Sequence, residues 1–336
     1  VNMGIIFSEG SGVNDSIFGK CQTPIKIFME KRTEAFENDS VIEKLFSMQK
    51  SKSFAEKATG MTSMHGFSPV GEGGAYPKDE MQEGYSQTFE HETWKDSFSI
   101  TSEMAEDSVL LNLKKRPAAF LNGYHRTREL FGAALFGAAL SGSNAATMRG
   151  KKFKTTANDG LTLFNTAHTS ITGGCDDQSN KFTNAFSADV LGKIECEMQN
   201  LKDDNGNILA VTPDTIIIPN LAGLKKSVFE AIGADKDPAT ANNGFNYTFG
   251  RWKVIVWAYL NQYIASGTAP FILMSSQYNE DYGGALWFDR RELTMKSIID
   301  ENTDDNVWKG NARWCAGFND WRAFAVGGAS AGTTLT

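Results

Sequence analysis

The chain has 336 residues, of which 41% are hydrophobic and 22% charged, and its formal net charge is -7. That length holds one large domain or two ordinary ones with a sizeable core. The acidic balance, without a basic tail or arginine stripe, argues against a sequence-independent grip on nucleic acid. No apolar run reaches the ~18 residues of a membrane helix, and the opening "VNMGIIFSEGSG" lacks the charged and long apolar regions of a signal peptide.

Residues 1 to about 24 are rich in Gly, Ser and Asn and read as an extended arm. A helix is predicted near 39–58, capped by Asp39 or Ser40, with Val41, Ile42, Leu45 and Phe46 as its apolar stripe. Residues 60–84 hold many glycines and few large aliphatics, too little to form a core, and are long for a plain connector. They read as a functional projection. The stretch to Ile100 suits a strand with Phe89, Trp94, Phe98 and Ile100 along it, and Ser102 starts a helix with acids at the positive end of its dipole. The longest helical pattern runs from there to about 140, with a kink or restart expected at Pro117. Phe120, Tyr124, Leu130, Phe131 and Leu135 offer a packing face, predicted to lie beneath strands at 285–299 and 312–328.

Residues 150–184 are loop-rich. "SADVLGKIECEMQNL" is a helix on the spacing of Phe186, Val190, Ile194, Met198 and Leu201, and "TPDTIIIP" is a buried strand. "NLAGLKKSVFEAIG" is a helix capped by Asn220 and stopped by Gly233. "RWKVIVWAYL" and "FILMSS" are apolar on both faces and read as central strands. "ALWFD", "ELTMKSII" and "ARWCAGFNDWRAFAVGG" are strand-rich, so the fold class is α+β.

Motifs with a defined chemistry are absent. "GEGGAYP" is not a dinucleotide fingerprint, and "FGAALFGAALSGS" lacks the Lys-Ser/Thr of a P-loop. "KDDNGNI" has its Gly206 out of register for a calcium loop and reads as a tight turn at Asn205-Gly206. Cys21, Cys175, Cys196 and Cys315 have neither disulfide-framework nor zinc spacing and read as reduced thiols. His65, His91 and His125 share no metal-ligand spacing. His168 lies among Thr166, Thr169, Ser170 and Asp176, partners for a catalytic base by type only, so a structural role in its loop is expected. His168→Gln should then leave assembly nearly intact. Trp308, Trp314 and Trp321 read as core or interface anchors, and the acidic runs as solvated turns and caps. No catalytic, cofactor-binding or metal-binding residue is expected, and no cofactor.

The order of these segments resembles the major capsid proteins of tailed bacteriophages, the Hong Kong 97-type shell fold. "GEGGAYPKDEMQEGYSQTFEHETWKDSFSITSEMAEDS" is similar to that family's extended loop running into its spine helix. "DGLTLFNTAHTSITGG" resembles the Asp-Gly-x-x-Leu-Phe-x-x-x-His segment after the spine helix. "NILAVTPDTIIIPNLAGLKKSVFEAI" resembles the axial-domain strand–helix unit, and "NDWRAFAVGG" the closing strand of the peripheral domain. The resemblance implies an N-terminal arm and helix over 1–60 and an extended loop over 61–101. It implies a peripheral domain with spine helix over 102–184, an axial domain over 185–284, and peripheral C-terminal strands over 285–336. No scaffolding domain is expected before the arm, and Val1 would follow removal of an initiator Met or of a longer leader. Some relatives crosslink a loop lysine to an asparagine; Lys78 and Lys95 lie in the projection, but neither an asparagine partner nor an activating carboxylate can be identified.

The function implied is a non-enzymatic shell subunit. It would self-assemble as hexamers and pentamers into an icosahedral head around double-stranded DNA, held without sequence-specific binding. Its partners would be copies of itself, a portal, and scaffolding or decoration proteins, with no membrane. Its place would be the virion capsid, after assembly in the bacterial host cytoplasm. The alternatives are an encapsulin-like compartment of the same fold and a hydrolase centred on His168.

Overall fold

The structure, a computed structural model, describes residues 5–8, 19–61, 67–78, 83–106, 110–233 and 246–335. In chain order, β1 (Ile6–Ser8) precedes α1 (Gly19–Asp39), α2 (Ile42–Leu45) and β2 (Ser47–Lys50). Next come β3 (Ala55–Met61), β4 (Glu83–Glu90), β5 (Glu92–Ile100), α3 (Ser102–Glu106), α4 (Leu110–Leu140), β6 (Ala145–Met148) and β7 (Lys151–Lys154). After a long irregular stretch follow α5 (Ala188–Gln199), β8 (Thr215–Pro219), α6 (Ala222–Gly233), β9 (Lys253–Trp257) and β10 (Phe271–Met274). The chain closes with α7 (Ser276–Tyr282), β11 (Ala285–Ile299), β12 (Asn306–Phe318) and β13 (Phe324–Gly327).

Two sheets share one apolar core. The first has the order β1-β11-β12-β5, with β2 also on β11; the second has the order β13-β10-β8-β9. In the second sheet every residue of β8, β10 and β13 is buried, which is why those segments read as continuous apolar runs. The buried cluster runs without a break from the first sheet through α4 to the second.

α4 supplies the layer between them. Phe131 meets Trp287 and Trp94 edge-on at 5.6 and 5.8 Å. Phe136 does the same to Phe318 and Phe324, at 5.0 and 5.5 Å, and Leu135 is fully buried. Gly137 is required because an added Cβ would run into Tyr263. Side chains on β5 and β12 stack across the ladder, Trp94 on Trp314 at 4.9 Å and Phe98 on Trp308 at 6.1 Å. The helix thus lies against β11 and β12, as its apolar face predicts.

A charged pair sits inside this layer. Arg128 donates to both oxygens of Asp289, at 2.9 and 3.1 Å, and its guanidinium lies 4.6 Å from the Trp287 ring centre. Burial alone would lower the Arg128 pKa; Tyr124 and Asp289 reverse that and raise it. The next residue, Glu129, accepts from Ser40 Oγ (3.0 Å), Val41 N (2.9 Å) and Trp257 Nε1 (2.8 Å).

Several expectations are corrected. There is no helix over 39–58: the chain makes the single turn α2, then β2, parallel to Leu286–Asp289 of β11, then β3. The turn into α2 is held by Glu129, not by a side chain of Asp39 or Ser40. The extended arm ends before Gly19, where α1 begins. Residues 1–4 and 9–18 lie outside the described residues. α4 continues through Pro117 as one helix, without a restart there. The start of a helix at Ser102 stands as expected, in α3, where Thr101 Oγ1 accepts from Met104 N at 3.3 Å. The Asn220 side chain accepts from Lys225 Nζ instead of capping α6. β9 is an edge strand, so only β10 of the two apolar segments is central. "ALWFD" and "ELTMKSII" form one strand, bulged between Asp289 and Thr294. The closing strand β13 pairs with β10, in the second sheet, and not with the 285–318 strands.

Leu135→Asp places an unpaired charge between the two sheets. We expect loss of soluble, folded protein, since such a burial costs several kcal/mol (roughly 3–5). Leu135→Ala should lower stability by roughly 2–5 kcal/mol. Soluble expression and denaturant titration check both; a normally folded Asp variant would place this face in solvent.

Candidate functional site

His168 sits in the irregular stretch between β7 and α5. Its backbone pairs with Gln178 in both directions, at 2.8 and 3.0 Å, so residues 168–178 form a closed loop. The imidazole is buried, stacked face to face on Trp321 at 4.0 Å between centroids. Nδ1 lies 2.5 Å from Asp159 Oδ2, and Nε2 lies 3.2 Å from Asn180 Oδ1.

The roles follow from Asn180. Its amide nitrogen donates to the carbonyls of Leu163, Phe324 and Trp321, at 2.8, 3.0 and 3.4 Å, while its oxygen accepts from Asn165 N at 2.9 Å. The oxygen therefore faces the imidazole. Both ring nitrogens of His168 face acceptors, so no lone pair is turned toward a hydroxyl or thiol. A general base needs one within reach of the proton it removes. Thr166, Thr169, Ser170 and Asp176 are not partners of its ring. Asp159 and Asn180, the actual partners, were not singled out from sequence; the only signal was the Asp-Gly of "NDGLTLF". The cluster instead ties a long irregular segment to Trp321 and Phe324 beside β13.

The second feature is the β3–β4 hairpin, paired antiparallel from Ala55↔Glu90 to Met61↔Glu83. Among the described residues of its connecting segment, Phe67 and Tyr76 are 109% and 97% exposed. Lys78 belongs to this segment, whereas Lys95 lies on β5 opposite Asn311. Residues 62–66 and 79–82 lie outside the described residues.

The family model described as "Phage capsid protein" matches residues 84–327. The chain belongs to the phage capsid protein family. No curated protein matches it. Among solved structures, the capsid of Ralstonia phage GP4 is 12% identical over 88% of this chain and 92% of its own, with a TM-score of 0.53. The capsid structure of the cyanophage P-SCSP1u is 11% identical over 88% and 89%, with a TM-score of 0.52. A Mycobacterium phage Patience structure is 11% identical over 98% and 94%, with a TM-score of 0.50. At such identities the likeness carries the fold alone. That fold is the Hong Kong 97-type shell fold, and the place of this capsid protein is the virion capsid.

Among the described residues of the capsid protein, no group of three or more His, Cys, Asp or Glu side chains could hold a metal ion. The "KDDNGNI" segment is a turn: Asp203 Oδ1 accepts from Asn205 N and Asn207 N at 2.9 and 2.7 Å, with Gly206 at φ 89°. Cys175, Cys196 and Cys315 are free thiols, and burial pushes the Cys315 thiol up to about 12. The Cys21 side chain and His65 lie outside the described residues. Trp308, Trp314 and Trp321 are all core residues.

The remaining histidines lie apart. His91 Nε2 is 2.9 Å from Ser51 Oγ, whose proton goes to Glu56 at 2.5 Å. His125 lies under α1, stacked on Phe36 at 4.3 Å, 9% exposed and with Nε2 unpartnered. Burial, then the Arg128 and Arg32 guanidinium groups, push its pKa down to about 4. Arg126, Asp39 and Glu129 line the same cleft.

Two outcomes are expected. His168→Gln removes the Trp321 stack and leaves the buried Asp159 short of a partner. A loss of roughly 2–4 kcal/mol should appear in denaturant unfolding, while assembly is still expected to stay nearly intact. Unchanged stability would show that the pair does no structural work. For His125 the folded value lies below the unfolded one, so the unfolded chain takes up the proton first. Stability should be full above pH 6.5 and fall as pH drops toward 4, by on the order of 3 kcal/mol from this residue. His91, lowered by burial and by Arg313 and Arg290, acts in the same direction. His125→Phe should make the decline shallower by about its share; an identical pH profile would refute the assignment.

Proposed function

We propose that this capsid protein assembles as hexamers and pentamers into an icosahedral head that encloses phage double-stranded DNA, and that it has no enzymatic activity. The observation that carries the reading is the β3–β4 hairpin, whose tip presents Phe67 and Tyr76 almost wholly uncovered. Aromatic side chains dominate contact energies when covered, and their exposure at the end of a projecting ribbon suits a neighbouring copy. Ring contacts of this kind are heterologous, one surface fitting a different surface on the next copy. Many such contacts of moderate size add up to a stable lattice.

The net charge of -7 suits containment of DNA without tight binding. The geometry of His168, with both ring nitrogens committed to acceptors, supports a subunit without hydrolytic chemistry. We keep the division into arm, extended loop, peripheral and axial domains as part of the proposal, with Phe324–Gly327 moved to the axial sheet. A portal and scaffolding or decoration proteins would be its partners, and assembly would take place in the host cytoplasm.

Deleting residues 71–83 should spare the fold of the isolated subunit and prevent or weaken shell formation, read by circular dichroism and electron microscopy. Hydrogen exchange over 61–98 should be slower in shells than in free subunits. Equal protection in both states would rule out the intersubunit role, and shells filled with protein instead of nucleic acid would favour the encapsulin-like alternative.

A further inference from the structure

The first sheet packs one face on α4 and leaves the other free of it. β12 shows the alternation: Trp308 and Trp314 are buried on the α4 side, and a Cβ added at Gly310 would run into Phe120. Lys309, Asn311 and Arg313, between them, point to the far face. There Lys309 stands directly opposite Lys296 of β11, and Arg313 opposite Arg291. On the other flank Lys95 of β5 stands opposite Asn311. Lys95, Arg291, Lys296 and Lys309 are exposed, and Arg313 is half-buried.

Like charges directly opposite each other across a ladder are destabilising. Among the described residues none of these five cations has an acid partner, whereas Lys50, Lys151 and Lys193 pair with Glu292, Glu92 and Asp189. The other paired positions of the far face, Thr93, Ser97, Ser99, Thr294, Ile298 and Val307, hold no acid either. The counter-charge of this surface is therefore not on the same sheet.

The β3–β4 hairpin leaves the molecule from this same face. Phe89 and Ala58 of the hairpin pack on Leu286, Phe288 and Cys315, a small cluster separate from the main core. A Cβ added at Gly317 would collide with Phe89. By register, Leu286↔Gly317 and Phe288↔Cys315 alternate with the α4-facing Trp287↔Ala316, so they continue the far face beyond Arg291↔Arg313. Copies in a closed shell all turn the same face the same way, so the hairpin of one and the cationic face of the next share a side. At about 3.4 Å per residue, the eight residues of β4 span about 27 Å before the connecting segment adds to their reach.

The connecting segment carries the complementary charge. From Gly71 to Gly84 the sequence holds Glu72, Asp79, Glu80 and Glu83 against Lys78 alone. Its exposed Phe67 and Tyr76 also suit cations. The far face already shows one such contact, with the Arg313 guanidinium 5.9 Å from the ring centre of the exposed Phe54.

We propose that the far face of the first sheet is the seat for the hairpin tip of a neighbouring copy, the acids of the tip being the counter-charges to the two opposed cation pairs and Lys95. This rests on the shell-subunit reading above and names the surface that the hairpin engages. Single exposed ion pairs contribute little, but several charges of one sign facing several of the other fix register and exclude wrong partners.

Charge reversal tests the seat. Lys309→Glu with Lys95→Glu gives Lys296 an opposite charge across the ladder, so the isolated subunit should resist denaturant as well as the parent or better. The protein concentration needed for shell assembly should nevertheless rise roughly tenfold or more. Glu72→Lys with Glu80→Lys should impair assembly likewise, and all four changes together should restore it. Impairment by each pair without recovery in the combination overturns the pairing, as does normal assembly of the reversed face. In a second arm, a peptide of residues 67–84 is titrated onto dispersed subunits. Saturable binding is expected, weakening from about 0.1 M to about 1 M salt as the screening length falls from ~10 to ~3 Å. It should be lost with the reversed face; no binding to the parent, or binding that survives the reversal, overturns the seat. Duplex DNA is titrated in parallel, and DNA binding through this face without peptide binding overturns the choice of occupant. If the parent forms no shells, the function proposed above fails, while the peptide titration still decides the seat.

Discussion

The Arg128–Asp289 pair is the constraint on which the placement of α4 depends. A guanidinium and a carboxylate, both buried, must meet in bidentate geometry or remain as uncompensated charges, which costs roughly 3–5 kcal/mol. Meeting fixes α4 against β11 both along its axis and about it. Trp287 takes part twice, donating to Asp289 at 3.1 Å and lying under the guanidinium. With that register set, Phe131 and Phe136 fall onto the rings of both sheets, and Glu129 reaches Ser40, Val41 and Trp257. Two successive helical residues therefore connect the α1–α2 turn, the first sheet and the edge of the second.

Away from that layer, order is maintained by side-chain to backbone bonds. The stretch from 155 to 187 contains no regular strand or helix, yet much of it is buried. Asn180 alone bonds three carbonyls and one amide, and the His168–Asp159 pair fixes the loop against Trp321. Such a network replaces a ladder because every buried polar group in it has a partner. The β3–β4 hairpin is the opposite case: its tip aromatics have no cover within the subunit, so their burial must come from elsewhere or not at all. The two segments thus differ in where their order comes from, one from its own subunit's bonds and the other from no contact within it.

The segment at 39–58 shows where local pattern is insufficient. "VIEKLFSMQKSKSFAEKA" contains good helix formers, but Ser47–Lys50 gains a parallel partner in Leu286–Asp289, and pairing outweighs propensity. The helix α1 carries only a faint local signal: Ile25, Met29 and Thr33 recur every four residues and are all buried. Pro24 and the polar remainder masked it. The cap on α2 could not be read at all, because it comes from Glu129, far along the chain.

The sequence by itself determined the α+β class, the long apolar-faced helix, the buried strands of the second sheet, the projecting segment, and the order of parts that resembles a capsid protein. The class, the helix, the strands and the projection rest on periodicity, composition or turn chemistry, which act over a few residues; the order of parts points to a capsid protein only by its resemblance to that family. Only the tertiary structure decided the partners of His168, the remote cap by Glu129, and the moves of β2 to β11 and of β13 to β10. Those depend on groups distant in sequence meeting at hydrogen-bonding distance. That proximity is fixed by how α4 packs against the sheets, and no local pattern encodes it.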